Sequence, residues 1–175
     1  MELVPNNQSY LPESEAFYLP HHRVVREESI STKLRVIFNG SAKSSNSVSL
    51  NEALYTGPKL QPDVFKLLLN FRTFPIAISA DIEKMYRKIR IHSEDADFQR
   101  IIWRTDTNQP LSTYRLLTVT YGTSCAPYLA IRTLHQLAAD EMSTYPEACK
   151  IIREHFYVDD LLTGANSVSH AKVLV

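Results

Sequence analysis

The sequence predicts an α+β fold in which short antiparallel strands are combined with helices. Near the C-terminus, two short apolar runs flank Asp159 and Asp160, the pattern of a hairpin with acidic residues at its tip. Nearer the N-terminus, the runs 23–26 and 34–38 are separated by a polar stretch and predict a second hairpin. Apolar residues at helical spacing after Asp63 add helices to these strands, and the sequence contains no internal repeat that would indicate a solenoid.

The remaining chain divides into an ordered series of elements. Residues 1–17 are polar with two prolines and are expected to be a poorly ordered lead-in to one domain over 18–175. The serine-rich stretch 41–49 predicts a loop, and Pro62 and Asp63 are helix-start signals. The apolar stripe after them is more typical of a core than of a cofactor surface: Val64, Leu67, Leu68 and Phe71. The other expected elements are strands at 76–82, 89–91, 99–104 and 113–120, a turn at 106–110, a helix over 129–142 and the opening of another helix at 167–172.

Composition is that of a globular protein with a core. Of the 175 residues 44% are hydrophobic, and 19 basic side chains balance 19 acidic ones, so any basic surface for nucleic acid must be local. Cys125 and Cys149 lack the spacing of metal ligands and suggest no disulfide framework, which makes a reducing compartment the default. The six histidines form no ligand cluster, so no zinc site is predicted. No leader-like segment and no apolar run of roughly 20 residues is present, so an intracellular protein without a membrane span is expected.

Asp159 and Asp160 are the residues that carry most chemical information. An ionised carboxylate is costly to desolvate unless it is paired or coordinated, and here two lie side by side in an apolar frame. Mg²⁺ prefers carboxylate oxygens and keeps the rest of its shell for water and substrate phosphates, so the pair indicates a magnesium site. The alternative is a solvated turn, because aspartate is common in turns.

A second acidic strand end lies far upstream. A mostly apolar run opens at Pro75 and ends on Asp81, which is typical of a central strand. Asp81 and Asp159 can meet only through the fold. If they do, carboxylates on two adjacent strands can hold two divalent cations about 3.5–4 Å apart, the arrangement that serves in-line phosphoryl displacement. The acidic residues together predict a nucleotidyl transferase.

The ordered set of motifs resembles the reverse transcriptase domain of the Pol polyprotein of Pao/BEL-type long-terminal-repeat retrotransposons. The resemblance extends from about Tyr18 to Gly164, and the set is far more specific than any one motif. Its members are Tyr18–His22, Thr32–Ala42, Ser49–Asn51, Gly57-Pro58, Ala80–Tyr86, Trp103-Arg104, Tyr121-Gly122 and Tyr157-Val158-Asp159-Asp160.

The resemblance implies the fingers and palm of a reverse transcriptase, with helices on one face of an antiparallel, ferredoxin-like palm sheet. It implies RNA-directed DNA synthesis, in which dNTPs are added to a primer 3′-hydroxyl on an RNA or DNA template. Asp81 and Asp159 would hold two Mg²⁺ ions, for which Mn²⁺ is the alternative. Asp160 would support them, and the main-chain carbonyl of Ile82 would complete one shell.

The resemblance also implies a set of nucleotide contacts. Lys33 and Arg35 match basic residues that bind the triphosphate, although exposed residues of a solvated hairpin are the alternative. Tyr86 matches an aromatic residue that excludes the ribose 2′-hydroxyl, and a half-buried packing residue is the alternative. Tyr121 and Gly122 match a segment near the template and nucleotide, where the glycine permits close backbone approach. Many reverse transcriptases have glutamine at the position of Tyr121 and serine at that of Ala126, which puts these contacts in question.

The chain is expected to work with other parts of a polyprotein. A thumb, a ribonuclease H and an integrase would follow Val175, and a protease would precede Met1. The protein is expected in a cytoplasmic particle or in the nucleus.

The rival function is a catalytically inactive remnant that binds nucleic acid or a partner. A magnesium-dependent phosphatase is a weaker rival. An aspartic protease is a weaker rival too, because the sequence contains no Asp-Thr-Gly or Asp-Ser-Gly tripeptide. Trp103 and Arg104 suit base stacking or phosphate contact, but a lone tryptophan in a strand is more often core.

Overall fold

The computed structural model describes residues 1–5, 11–12, 15–28 and 33–174. The chain forms two compact units, each assembled from two separate stretches: 1–56 with 86–126 in unit 1, and 57–85 with 127–175 in unit 2. The predicted domain 18–175 therefore contains parts of both. Helices are combined with antiparallel sheets, which confirms the α+β class. Within the described ranges, no helix is long and apolar enough to cross a membrane.

Unit 1 contains a three-stranded sheet and a separate hairpin. The sheet has the order β1-β6-β5, from strands β1 (Glu2–Leu3), β5 (Arg100–Trp103) and β6 (Ser112–Arg115). The hairpin pairs β2 (His21–Val25) with β3 (Leu34–Phe38), which confirms the prediction for 23–26 and 34–38. β1 lies in the segment expected to be a poorly ordered lead-in, of which 6–10 and 13–14 are outside the described residues.

A buried arginine organises the centre of unit 1. Arg100 has no exposed surface, and both Arg100 and Arg115 donate hydrogen bonds to the carboxylate of Asp97. Arg100 also donates to the Tyr18 hydroxyl (3.3 Å), and the chain around Tyr18 pairs with β5. A buried charge is tolerated only when it is paired, so these partners fix the chain entering β2 against β5. Beside them lies a core centred on Leu19, Leu50 and Ile101.

Of the strand predictions in unit 1, the one at 89–91 was wrong and the one at 113–120 was too long at its C-terminal end. Residues 89–91 form no strand, and only Arg90 makes an isolated bridge, to Thr118. The run 113–120 ends as a strand at Arg115. The side-chain amide of Gln99 lies 3.5 Å and 3.4 Å from the carbonyls of Leu116 and Thr118, in the place of a regular ladder. A side chain that substitutes for main-chain partners ends a strand without any signal in its own apolar pattern.

Unit 2 is built on the sheet β4-β8-β7, all of whose pairs are antiparallel. The strands are β4 (Ile76–Asp81), β7 (Phe156–Tyr157) and β8 (Asp160–Ala165), close to the predicted strand 76–82 and the predicted C-terminal hairpin. The helices among the described residues of the two units are α1 (Leu50–Ala53), α2 (Val64–Phe71), α3 (Met85–Lys88), α4 (Ala126–Asp140), α5 (Pro146–Glu154) and α6 (Val168–Leu174), with a 3-10 helix over Ser93–Gln99.

Helix α2 begins at the predicted position, but fewer of its apolar side chains are buried than predicted. Asp63 is its N-cap and accepts hydrogen bonds from the main-chain N–H groups of Phe65 (2.8 Å) and Lys66 (3.2 Å). Only Leu67 of the apolar stripe is buried. Val64 and Leu68 remain 42% and 45% exposed, so the assignment of the whole stripe to the core was wrong. The helix packs on β8 along a narrower line than its sequence indicates.

His155 connects three parts of unit 2. Its Nδ1 lies 2.6 Å from Oγ1 of the buried Thr163 in β8, and its Nε2 lies 3.4 Å from Nδ2 of Asn70 in α2. Its ring centroid is 5.9 Å from that of Phe74. Burial lowers the pKa of His155; the neighbouring Glu154 opposes this shift and Lys150 adds to it. The neutral imidazole is therefore the form that the fold favours.

The lowered pKa of His155 predicts that the protein loses stability on acidification. A histidine in an unfolded chain titrates near pH 6.5. Below that pH, His155 is protonated in the unfolded chain but stays neutral in the folded chain until its lower folded-state pKa is reached. The contribution is complete above about pH 6.5 and is lost as the pH falls toward the folded-state pKa. We expect His155→Gln to flatten the pH dependence of the free energy of urea unfolding below about pH 6.5.

His135 provides the comparison for this experiment. Burial lowers the pKa of His135 as well, and Arg153 and Arg132 add to the shift. His135→Gln should therefore remove a separate part of the slope, and the double variant should remove both. The unfolding free energy could instead fall equally steeply on acidification in the parent and in His155→Gln. That result would contradict the assignment of this pH dependence to His155.

Candidate active site

The acidic residues predicted to bind metal come together at one end of the unit 2 sheet. The register of β4 and β8 sets Asp81 directly opposite Asp160. Side chains directly opposite in an antiparallel pair project from the same face, with Cβ atoms about 4.5–5.5 Å apart. Both aspartates are exposed, so the sheet presents two facing carboxylates to solvent.

Asp159 lies in the turn that joins β7 to β8. Tyr157 pairs with Asp160, which leaves Val158 and Asp159 as a two-residue turn. The main-chain carbonyl of Asp159 accepts a hydrogen bond from the N–H of Ile82 (3.0 Å). The tip of the hairpin is thus fastened to the residue that follows β4, and all three aspartates occupy neighbouring positions. The predicted hairpin with acid at its tip is confirmed.

Val158 holds the turn in a strained conformation. Its φ is 58°, and the other turn residue, Asp159, has no positive φ. A positive φ at the first position alone is the pattern of a type II′ turn, which favours glycine there. A β-branched residue in this region costs about 1–3 kcal/mol and persists only where surrounding contacts over-determine it. Strain of this kind is found at active sites and ligand clamps.

The acidic face of β4 carries small side chains. Ala77 and Ser79 alternate with Asp81 and are exposed, whereas Ile76 and Ile78 on the other face are half-buried. The residue of β8 opposite Ala77 is Gly164. On the same face Leu162, opposite Ser79, is half-buried, and Gly164 is buried against Phe74. The exposed part of the face is therefore the end that carries Asp81 and Asp160.

A divalent cation fits these carboxylates. Among the described residues, no cationic side chain forms an ion pair with Asp81, Asp159 or Asp160, and the adjacent Lys84 pairs with Glu83 instead (2.6 Å). Nor do three His, Cys, Asp or Glu side chains in the described ranges form a ready-made metal cage. Mg²⁺ is commonly bound by only one or two carboxylates plus substrate phosphates, and two facing carboxylates suit that mode. The carbonyl of Ile82 accepts one hydrogen bond, from Met85 N–H (3.1 Å), which leaves its second lone pair for an ion.

The structure gathers the predicted phosphate-binding residues of unit 1 on one face of the β2–β3 hairpin. Lys33 and Arg35 are two residues apart, so they share a face, and both are exposed. Arg26 joins them, because its N–H donates to the carbonyl of Lys33 (2.8 Å) across the hairpin. Sequence reasoning missed Arg26, although the pairing of the two predicted runs could have revealed it. Three cations on one exposed face form a candidate surface for phosphate.

Tyr86 and Tyr121 are both half-buried in unit 1. Tyr86 lies in α3, and its role as a gate against the ribose 2′-hydroxyl stays a prediction. Tyr121 contacts Phe38, with ring centroids 5.2 Å apart. Gly122 has φ +94°, and a Cβ there would lie 2.3 Å from the carbonyl oxygen of Phe38. The close backbone approach that this glycine permits is therefore to Phe38, and a template contact at Gly122 also stays a prediction.

Asn51 holds the Tyr121-Gly122 segment in place. Its amide nitrogen donates to the Gly122 carbonyl (3.1 Å) and to Ser41 Oγ (2.9 Å). Its amide oxygen accepts from the N–H of Ser124 (2.8 Å). One side chain thus joins the end of the β2–β3 hairpin to the segment 122–124. Asn51 belongs to the Ser49–Asn51 motif, but its spacing gave no indication of these contacts.

No protein-family model and no curated protein matches the sequence. The assignment of the site consequently depends on the geometry of these residues and on the resemblance of their motifs.

The facing carboxylates predict a measurable response to magnesium. Like charges directly opposite each other destabilise a sheet by up to about 1 kcal/mol, so Asp160→Asn should stabilise the metal-free protein at low ionic strength. Mg²⁺ should raise the melting temperature of the parent and should raise that of the Asp81→Asn, Asp160→Asn double variant much less. Thermal unfolding in Mg²⁺ and in chelator measures both effects.

The control for this measurement is Glu141→Gln, which removes an exposed carboxylate of unit 2 away from the strand ends. It should keep the full magnesium response. An equal response in the parent and in the double variant would show that Mg²⁺ does not bind these aspartates.

The contacts of Asn51 predict a large effect from an isosteric change. Asn51→Asp keeps the acceptor for Ser124 but loses both donated hydrogen bonds and places a carboxylate against the Gly122 carbonyl. We expect the free energy of urea unfolding to fall by about 1–3 kcal/mol. Asn46→Asp is the matched control, because Asn46 uses only its amide oxygen, to accept from Ser44 and Val48. Equal stabilities for the two variants would contradict the proposed clamp.

Proposed function

We propose that this chain is the fingers and palm part of an RNA-directed DNA polymerase of the Pao/BEL retrotransposon type. The observation that carries the proposal is the pairing of Asp81 with Asp160 at one sheet end, with Asp159 in the strained turn beside them. Three features support the proposal, since two-ion nucleotidyl transfer requires each of them: oxygen ligands, their fixation by strands, and exposure of the aspartate end of the sheet to solvent.

In this proposal the aspartates hold the ions and the rest of the chain positions the substrates. Two divalent ions held by these residues would supply activation of the primer 3′-hydroxyl and neutralisation of charge on the triphosphate. Asp81 and Asp159 are the principal ligands, and Asp160 and the Ile82 carbonyl support them. The turn fastened to Ile82 keeps Asp159 from moving away from β4, which preorganises the ligand set before any substrate arrives.

For the incoming nucleotide, the proposal assigns phosphate contacts to Lys33 and Arg35. Arg35 offers a bidentate fork and Lys33 a point charge, and Arg26 adds a third cation on the same face of the hairpin. Tyr86 is assigned to exclusion of the ribose 2′-hydroxyl, and Tyr121 and Gly122 to the nucleotide and template. Asn51 supports Gly122 through its hydrogen bond.

A nucleic-acid-binding domain without catalysis is the second candidate. A specific observation favours it: in unit 1 the rings of Trp103, His21, Phe38 and Tyr121 contact one another in a row that involves none of the three aspartates. The two functions differ in their need for metal. Catalysis requires a divalent cation and a paired primer end, whereas binding alone persists in chelator.

The decisive experiment is primer extension on an RNA template with dNTPs and Mg²⁺. We expect extension to fall by more than about 100-fold in Asp159→Asn, because the lost ligand stabilises charge in the transition state by several kcal/mol. The same assay on a longer protein, continued past Val175 with its genomic sequence, shows whether further domains are required. Glu141→Gln is the control and should extend primers like the parent.

Two results bear against catalysis. Extension that survives Asp159→Asn would remove that residue from the mechanism. In the second result, neither the parent nor the longer protein extends primers while RNA binding is retained in chelator. That result would favour nucleic-acid binding without catalysis as the function.

A further inference from the structure

A cavity of about 430 Å³ lies within unit 1. Its volume is in the range of ligand pockets, which are lined by apolar and aromatic side chains with few polar groups. Strands β2 and β3 contribute His21, Val36 and Phe38 to its lining, and β5 contributes Ile101 and Trp103. The cavity also adjoins Tyr121, and Arg87 is the one permanently charged residue among its described lining residues.

Four rings of this lining form a continuous row. The centroids of Trp103 and His21 are 6.0 Å apart, those of His21 and Phe38 are 6.0 Å apart, and those of Phe38 and Tyr121 are 5.2 Å apart. Each pair is tilted by 43–56°, so no ring is stacked face to face on its neighbour. Tilted rings leave parts of their faces available to a flat ligand.

Trp103 is 47% exposed, so the expectation that a lone strand tryptophan belongs to the core was wrong. Leaving the indole of a tryptophan half exposed to water is unfavourable in free energy. An exposed aromatic side chain beside a cavity is therefore a candidate binding surface. The surrounding charge favours one kind of ligand. Arg87 lines the cavity, and the exposed Arg23 lies on β2 two residues from His21, on the same face of the hairpin.

We propose that this row of rings binds the unpaired bases of a single-stranded nucleic acid by stacking, with the phosphates directed toward Arg23 and Arg87. The inference rests on the proposed function only for the source of the strand, which would be the unpaired template. Aromatic side chains combined with cations are the general means of binding single strands without reading their sequence. An apolar peptide would use the rings but not the arginines, and it is the alternative that the experiment must exclude.

Trp103 reports directly on its own site, because it is the only tryptophan of the chain. A base stacked on the indole should quench its fluorescence as a short oligothymidylate is added in chelator, where no metal-dependent step takes place. An abasic oligonucleotide of the same length carries the same phosphates and isolates the contribution of the bases. We expect it to bind at least about tenfold more weakly, since each stacked base is worth about 1–3 kcal/mol.

Variants then test the row by the anisotropy of a labelled oligonucleotide. Trp103→Leu should weaken binding about tenfold, whereas Trp103→Phe keeps a ring and should retain most of the affinity. Leu111→Ala is the control, because Leu111 is an exposed apolar residue of the same unit outside the cavity lining. Unfolding curves verify that each variant is folded, and the exposure of Trp103 makes its replacement tolerable.

Three results would overturn the inference: equal affinity for the abasic strand, unchanged affinity in Trp103→Leu, or quenching by apolar peptides but not by oligonucleotides. These outcomes are independent of catalysis. If stacking persists when primer extension fails, the polymerase proposal is rejected and the stacking site is supported. If primers are extended but no stacking is detected, the polymerase proposal is supported and the stacking site is rejected.

Discussion

The register between β4 and β8 is the constraint on which the candidate active site depends. Because side chains alternate along a strand, a slip of one residue would turn Asp160 to the other face and separate it from Asp81. Two contacts at opposite ends hold the register. At one end, Gly164 packs so closely on Phe74 and the Ile76 carbonyl that a Cβ would lie 2.4 Å from both. At the other end, the N–H of Ile82 binds the carbonyl of Asp159.

Unit 1 uses the same alternation for a different purpose. The hairpin β2–β3 carries Arg26, Lys33 and Arg35 on one face, and His21 and Phe38 on the other. Two chemically distinct surfaces therefore arise from the ten paired residues of the hairpin together with Arg26 and Lys33, one suited to phosphate and one to flat rings. The hairpin is held at its base by the buried Arg100, whose partners include Tyr18, and by Asn51. Both anchors are polar side chains that hydrogen-bond to several partners, and such directional contacts restrict orientation more than apolar contacts do.

The features that could be predicted from the sequence are those with a local cause. Both hairpins and helix α2 with its Asp63 cap follow from periodicity and capping. The meeting of Asp81 with Asp160 does not, because the two are far apart in the chain, are both exposed and pair only through the register of β4 and β8. The errors have non-local causes. The ending of β6 depends on the Gln99 side chain, and the exposure of Trp103 and of Val64 and Leu68 depends on which partners the fold supplies. The role of Asn51 depends on three contacts, two of them more than 70 residues away in the chain.

A solvated turn accounts poorly for the acidic tip. A turn selected only for solubility would have glycine or asparagine at position 158, where the backbone has a positive φ, and would not face a second aspartate across the sheet. Here a valine with a positive φ and a pair of directly opposite aspartates occur within a few residues. Both features are destabilising as a rule in a ligand-free fold. A divalent cation would relieve the repulsion, and the fastened turn keeps the ligands in place without it. Destabilising features concentrated where a cation would offset one of them are the expected signature of a site selected for binding rather than for stability.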